Sequence, residues 1–109
     1  MSVADKRRAF RALHQSGCFV IPNPWNVGSA RYMQGLGFKA LATTSSGYAH
    51  SIGYADGDVT RDMMLAHYRE ITHATDIPLN ADFEGGYADD PDEVAANVRR
   101  CIDTGVAGL

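Results

Sequence analysis

The sequence lacks several features that mark particular classes of protein. Its 109 residues contain two cysteines and no apolar run of 18 residues, and no apolar segment follows the charged N-terminus. These absences argue against a membrane-spanning helix and a secretory signal. Basic residues are also in the minority, with ten Lys and Arg against thirteen Asp and Glu. The net charge of -3 therefore argues against nucleic acid or an anionic membrane as a partner.

What remains has the composition of an ordinary globular protein. Hydrophobic residues make up 45% of the chain, and the length suits one compact domain with one core. Cys18 lies in an apolar run and Cys101 on a helical apolar stripe, so both are predicted to be reduced, buried thiols. We therefore expect a cytoplasmic location.

Hydrophobic periodicity and turn residues predict alternating helices and strands. The expected helices cover residues 3–16, 27–36, 60–75 and 90–105, and the expected strands cover residues 18–21, 38–43 and 79–82. A further apolar strand begins at Val106 and stops at Leu109, so we expect the natural protein to be longer. This order predicts an α/β fold whose parallel sheet is covered on both faces or closed into a barrel.

Two connections in this pattern stand out. The predicted loop from Thr44 to Val59 is long for its type, which favours a functional role. Asp90, Pro91 and Glu93 form a strong helix start, with Asp90 as N-cap and Glu93 completing a capping box.

Active sites of parallel α/β proteins gather beyond the carboxyl ends of the strands. Asp82 and Glu84 stand at the end of the third predicted strand, and two carboxylates so close repel unless a cation lies between them or one is protonated. A hard divalent ion such as Mg²⁺ resolves that repulsion. An equally open interpretation is that both residues only cap the turn and the next helix.

Other candidates follow the first two strands. Ser46 and Gly47 can present a hydroxyl and backbone N–H groups to an anion, or form a plain turn. Asp56 is either a residue of an Asx turn or a metal ligand acting through water. Trp25 and Tyr48 are candidate substrate contacts, although aromatic packing explains Trp25 equally well. Among the histidines only His50 is placed to meet a substrate, and His14, His67 and His73 are expected to be solvated or structural.

Several segments, in this order, together resemble the isocitrate lyase/phosphoenolpyruvate mutase family. They are residues 23–31 (NPWNVGSAR), 37–40 (GFKA), 45–47 (SSG) and 80–87 (NADFEGGY). The resemblance implies a (β/α)8 TIM-type barrel, of which residues 1–109 would be the N-terminal part, cut at the start of strand four. It also implies a Mg²⁺-dependent enzyme, with Mn²⁺ as an alternative ion. Such enzymes make or break a C–C or P–C bond of a small 2-oxo acid or related carboxylate or phosphonate through a metal-stabilised enolate.

The resemblance also assigns roles to individual residues. Ser46 and Gly47 match the pair that receives the substrate carboxylate, Asp56 matches an acidic metal residue, and Asp82 with Glu84 matches the aspartate pair of an Asp-x-Asp-x-Gly-Tyr-Gly motif. This chain departs from that motif with Glu84 for the second Asp and Ala88 for the last Gly. The catalytic acid or base is expected beyond Leu109, which leaves lyase, mutase and decarboxylase chemistry open.

A second hypothesis comes from a different class. A half barrel exposes two sheet edges and an apolar interior, so the 109-residue chain could be inactive and only self-associate. Both hypotheses lead us to expect a homo-oligomer, and the first adds a small carboxylate as ligand.

Overall fold

The computed structural model describes residues 1–109 and contains five helices and two strands. The helices are α1 (Val3–Leu13), α2 (Val27–Gly35), α3 (Ser45–Ser51), α4 (Arg61–Ala74) and α5 (Pro91–Ile102), and the strands are β1 (Leu41–Ala42) and β2 (Leu79–Asn80). No helix combines the length and the apolar character needed to cross a membrane. The result is an α/β fold, as the alternating pattern predicts.

Four of the helices confirm the prediction from periodicity, with ends shifted by a few residues. Thr60 caps α4, and its side chain accepts a hydrogen bond from the Met63 N–H. Asp90 caps α5 through the Glu93 N–H at 3.1 Å, although only this one of the two hydrogen bonds of the expected capping box is formed. Side-chain acceptors at these positions satisfy N–H groups that the first helical turn leaves free.

The strands run parallel and neighbour one another in the predicted order. Leu41 pairs with Leu79 across β1 and β2, and Asn80 forms a parallel bridge to Gly108. The Ala42 N–H donates to the Pro22 carbonyl oxygen over 3.0 Å, which places the residues before Asn23 on the far side of β1. After Val106 the structure has this single bridge at Gly108 and no regular strand, so the predicted further strand stays a prediction.

The first predicted strand, residues 18–21, is wrong in two respects. These residues form no regular strand, and Cys18 and Val20 are exposed, Val20 by 68%. A strand of this type needs cover on both faces. Here Phe19 packs edge-on against His14 and is half-buried, whereas Cys18 and Val20 are left uncovered. Cys101, in contrast, is buried as predicted, and burial raises the pKa of its thiol to about 11.

The long connection predicted from Thr44 to Val59 is also wrong in its first half, because α3 occupies it. The Thr44 hydroxyl accepts a hydrogen bond from the Gly47 N–H over 3.1 Å and so caps this helix. Two serines and a glycine are poor helix formers, which is why propensity alone predicts a loop here. The second half of the connection contains no helix or strand.

The hydrophobic core lies between α4 and the strands. α4 contributes Met64, Tyr68 and Ile71, all fully buried, and it also packs against α2. The N-terminal helix is held to the end of α4 by buried Lys6, whose ammonium group donates to the carbonyl oxygens of Thr72 and Thr75. Beyond the carboxyl end of β2, Asp82 contacts Ser45 of α3 and Tyr68 of α4.

Candidate functional site

Asp82 follows Ala81, the first residue after β2, and other residues hold its backbone through two hydrogen bonds. Its N–H donates to the Thr43 hydroxyl over 2.8 Å, and its carbonyl oxygen accepts from the Tyr68 hydroxyl over 2.6 Å. Thr43 is the residue after β1, and Tyr68 comes from the buried face of α4. Asp82 is therefore anchored to a neighbouring strand and to a helix of the core.

The carboxylate of Asp82 has one hydrogen bond on each oxygen. Oδ2 accepts from the Ser45 N–H over 3.1 Å and Oδ1 from the Glu84 N–H over 3.3 Å. A carboxylate oxygen has two lone pairs, so each oxygen keeps one for a further partner. The side chain is partly exposed at the strand ends, where such a partner has access.

Residues 82–87, which we call the Asp82 turn, have an unusual backbone. Glu84 and Tyr87 adopt positive φ angles of 49° and 60°, a region that residues with a Cβ rarely enter. Glu84 is exposed. Burial raises the pKa of Tyr87 to about 12, and the carboxylates of Glu84 and Asp82 act in the same direction. The phenol is thus a neutral group close to two acids.

The segment predicted to receive a carboxylate lies beside this turn. Ser46 and Gly47 are in the first turn of α3, directly after Ser45, whose N–H binds Asp82. A Cβ at Gly47 would lie 2.6 Å from Thr44 Cγ2, so the close packing of this turn requires glycine. The Gly47 N–H already donates to Thr44, which leaves the hydroxyl of Ser46 as the more accessible donor.

Tyr48 follows in α3 and packs on the core. Its ring stacks on His67 of α4 with centroids 3.9 Å apart and planes inclined by 21°. His67 is only 2% exposed, and neither ring nitrogen has a hydrogen-bond partner in the chain. Burial lowers the pKa of His67 to about 4, so the ring is neutral at pH 7. His67 is structural, one of the two roles expected for it.

The remaining predicted residues are more open. Trp25 is 45% exposed and precedes the Asn26 cap of α2. Asp56 and His50 are exposed, and Asp56 lies in residues 52–58, which we call the Asp56 loop. No three or more His, Cys, Asp or Glu side chains come together as a group that could hold a metal ion. The structure brings Asp82, Glu84 and the start of α3 together, and it does not add Asp56 to them.

Three contacts of Asp82 were not predicted from the sequence. Thr43 ends the second predicted strand, and its place beside Asp82 would follow from pairing the two strands in register. Tyr68 lies on the predicted buried stripe of α4, but its hydroxyl contact depends on how the helix packs on the sheet. The Ser45 contact depends on α3, which the sequence did not reveal.

The donor set at this site suits a hard divalent cation. Two carboxylates at one turn supply anionic oxygen, and Mg²⁺ commonly uses one or two protein carboxylates while it keeps several waters. The free lone pairs of Asp82 and the exposure of Glu84 are compatible with that arrangement. The residues present therefore fit such an ion.

Comparison with known proteins gives concordant matches. The family model described as phosphoenolpyruvate phosphomutase matches residues 10–109. The 2-methylisocitrate lyase of Escherichia coli K12 is 33% identical over 112 residues, which cover 100% of this chain and 38% of the enzyme.

The fold of this chain also matches that of solved structures. A proposed lyase/mutase from Burkholderia cenocepacia J2315 has a TM-score of 0.93 and 46% identity, covering 95% of this chain and 38% of that one. Oxaloacetate acetylhydrolase in complex with its product oxalate has a TM-score of 0.82 and 33% identity, covering 98% and 38%. The chain thus spans 38% of the length of each of these three relatives.

Proposed function

Because the chain belongs to the phosphoenolpyruvate phosphomutase family, we propose that the whole protein is a Mg²⁺-dependent enzyme acting on a small 2-oxo acid or a related carboxylate or phosphonate. It makes or breaks a C–C or P–C bond through an enolate. In this proposal residues 1–109 are the N-terminal part of one (β/α)8 barrel. The parallel order of the strands supports that architecture.

The observation that carries the proposal is the fixed carboxylate of Asp82. Thr43 and Tyr68 hold its backbone, and the N–H groups of Ser45 and Glu84 orient its two oxygens. A ligand held in this way loses little freedom when an ion binds. Asp82 and Glu84 would hold Mg²⁺, or Mn²⁺ in its place, and Asp56 would act through a bound water.

Each group has a defined part in the chemistry. Bound Mg²⁺ supplies a positive charge that stabilises the negative charge developing on the substrate carbonyl oxygen. The Ser46 hydroxyl and the backbone at Gly47 orient the substrate carboxylate from the side of α3. Trp25 and Tyr48 border the substrate, although Tyr48 has one ring face on His67. The relative that was solved with oxalate supports a small dicarboxylate as a probe of this site.

Titration calorimetry with Mg²⁺, followed by oxalate, tests the proposal. Asp82→Ala should weaken Mg²⁺ binding by more than about 100-fold, beyond the loss usual for residues that only orient a ligand. Asp56→Ala should weaken it by about 10-fold if a water connects Asp56 to the ion. Asp92→Ala removes an exposed acid from α5 and is the matched control. Unchanged Mg²⁺ and oxalate binding by Asp82→Ala would overturn the metal assignment.

The second candidate is a chain that is inactive by itself and only self-associates. Val20 lies beside the segment that pairs with β1 at Pro22 and is 68% exposed, and an exposed apolar residue at a sheet edge favours association of copies. Sedimentation separates the candidates. An oligomer that binds neither Mg²⁺ nor oxalate favours this second candidate, whereas a homo-oligomer that binds both agrees with the enzyme.

A further inference from the structure

Asn97 is a buried polar residue of α5 that lies directly beneath the Asp82 turn. It is 4% exposed, and its Nδ2 donates to the Gly86 carbonyl oxygen over 2.8 Å and lies 3.5 Å from that of Tyr87. Its Oδ1 accepts from Arg61 over 2.9 Å and from Arg100 over 3.3 Å. Guanidinium groups only donate and carbonyl oxygens only accept, so this network fixes the orientation of the amide.

The turn that Asn97 holds is strained. Glu84 and Tyr87 are both in the left-handed region without being glycine, and such residues persist only when the surrounding structure holds them. Between them Gly86 has a φ of 85°, and a Cβ there would lie 2.8 Å from Val94 Cγ1. Asn97 and Val94 thus contact the turn from one face of α5.

Arg61 extends this contact to a second helix. It is the first residue of α4, and it also pairs with Asp62 at 2.9 Å. Arg61 therefore joins the start of α4 to the middle of α5 through the Asn97 oxygen, while the Asn97 nitrogen joins both to the turn. One amide connects the two helices to the backbone that bears Glu84.

We infer that Asn97 is a positioning residue that fixes the Asp82 turn and so sets the angle at which Asp82 and Glu84 face a bound cation. The cation part of the inference rests on the proposed function. Asn97 touches no substrate, and its effect passes through the carbonyl oxygen of Gly86. Substitution of a residue that orients metal ligands in this way commonly lowers metal affinity by about 10- to 100-fold.

Asn97→Asp separates this role from simple packing. The variant keeps an acceptor for Arg61 and Arg100 but loses the donor to Gly86, whereas Asn97→Ala loses both. Arg99→Ala, an exposed change on the same helix, is the control. The measurements are Mn²⁺ affinity from the electron paramagnetic resonance signal of free Mn²⁺, amide hydrogen exchange at Gly86, and the thermal unfolding midpoint.

We expect Asn97→Asp to weaken Mn²⁺ binding by at least about 10-fold. In the parent the Gly86 N–H donates to the Phe83 carbonyl oxygen. Asn97→Asp should accelerate hydrogen exchange of this amide by a similar factor. Its unfolding midpoint should stay closer to the parent than that of Asn97→Ala. Parental Mn²⁺ affinity in Asn97→Asp overturns the inference, as does a loss of affinity in Asn97→Ala alone, which would indicate packing only.

The failure of the proposed function would look different. If the parent binds no Mn²⁺, the proposed cation is wrong, and exchange at Gly86 alone then decides whether Asn97 fixes the turn. Equal Gly86 exchange in the parent and in Asn97→Asp would overturn that part too.

Discussion

The Asp82 turn and the Asp56 loop both carry a candidate metal-binding carboxylate, and the fold supports them very differently. The backbone of Asp82 is bound by Thr43, which follows β1, and by Tyr68 of α4. Its two carboxylate oxygens accept from the N–H groups of Ser45 in α3 and of Glu84. Asp56 is exposed, and its side chain has no hydrogen bond in the chain. The difference shows that one of the two acids is oriented before any ligand arrives, whereas the other would have to be ordered by the ligand.

The largest expected effect contrasts two glycines with similar backbone angles. Gly86 in the Asp82 turn and Gly57 in the Asp56 loop have φ angles of 85° and 93°. A Cβ added at Gly86 would clash with Val94, whereas a Cβ added at Gly57 would meet no atom within 4 Å. Gly57→Ala should cost about 1 kcal/mol from backbone strain, and Gly86→Ala about 3 to 4 kcal/mol because overpacking adds to it. Denaturant unfolding of both variants measures the difference.

The contribution of Val94 can be checked separately. Val94→Ala removes the side chain that a Cβ at residue 86 would meet. In the Gly86→Ala background, Val94→Ala should therefore destabilise the fold less than it does in the parent. Equal losses for the two single glycine variants would show that α5 does not press on the Asp82 turn.

The next effect concerns His67, which supports α3 from below. Its pKa of about 4 in the fold lies below the value of about 6.5 in an unfolded chain. The unfolded state therefore binds more protons between these values, and stability falls as the pH drops. The loss should be about 2 kcal/mol between pH 7 and pH 4.5.

Comparison of variants isolates this contribution. His67→Phe keeps an aromatic ring against Tyr48 and should remove that part of the pH dependence, as measured by urea unfolding at several pH values. His50→Gln changes an exposed ring next to the Asp56 loop and is the control. An unaltered slope in His67→Phe would contradict the assignment.

The family resemblance predicted from the sequence is confirmed by the match over residues 10–109. The α/β order was predictable because periodicity and caps such as Thr60 and Asp90 are local signals. The exposure of Cys18 was not predictable. An apolar run predicts a buried segment, but it does not show whether another segment of the chain packs over it.

The candidate site was predictable only in part. Asp82 and Glu84 could be placed because a strand end has a signature in the sequence. The positive φ of Glu84 and the contact between Asn97 and Gly86 could not, because they depend on how α5 packs against the Asp82 turn. Helix α3 was missed because Thr44 stabilises it against the low helix propensity of Ser45, Ser46 and Gly47.

The smallest expected effect contrasts two tyrosine hydroxyls. Tyr68 is buried and donates to the Asp82 carbonyl oxygen, and Tyr54 in the Asp56 loop is 43% exposed with no side-chain hydrogen bond. Tyr68→Phe should cost about 1 to 2 kcal/mol because that oxygen loses its donor in a partly buried place. Tyr54→Phe should stay within about 0.5 kcal/mol of the parent. Thermal unfolding of both variants measures the contrast, and equal losses would mean that the Tyr68 hydroxyl does not anchor Asp82.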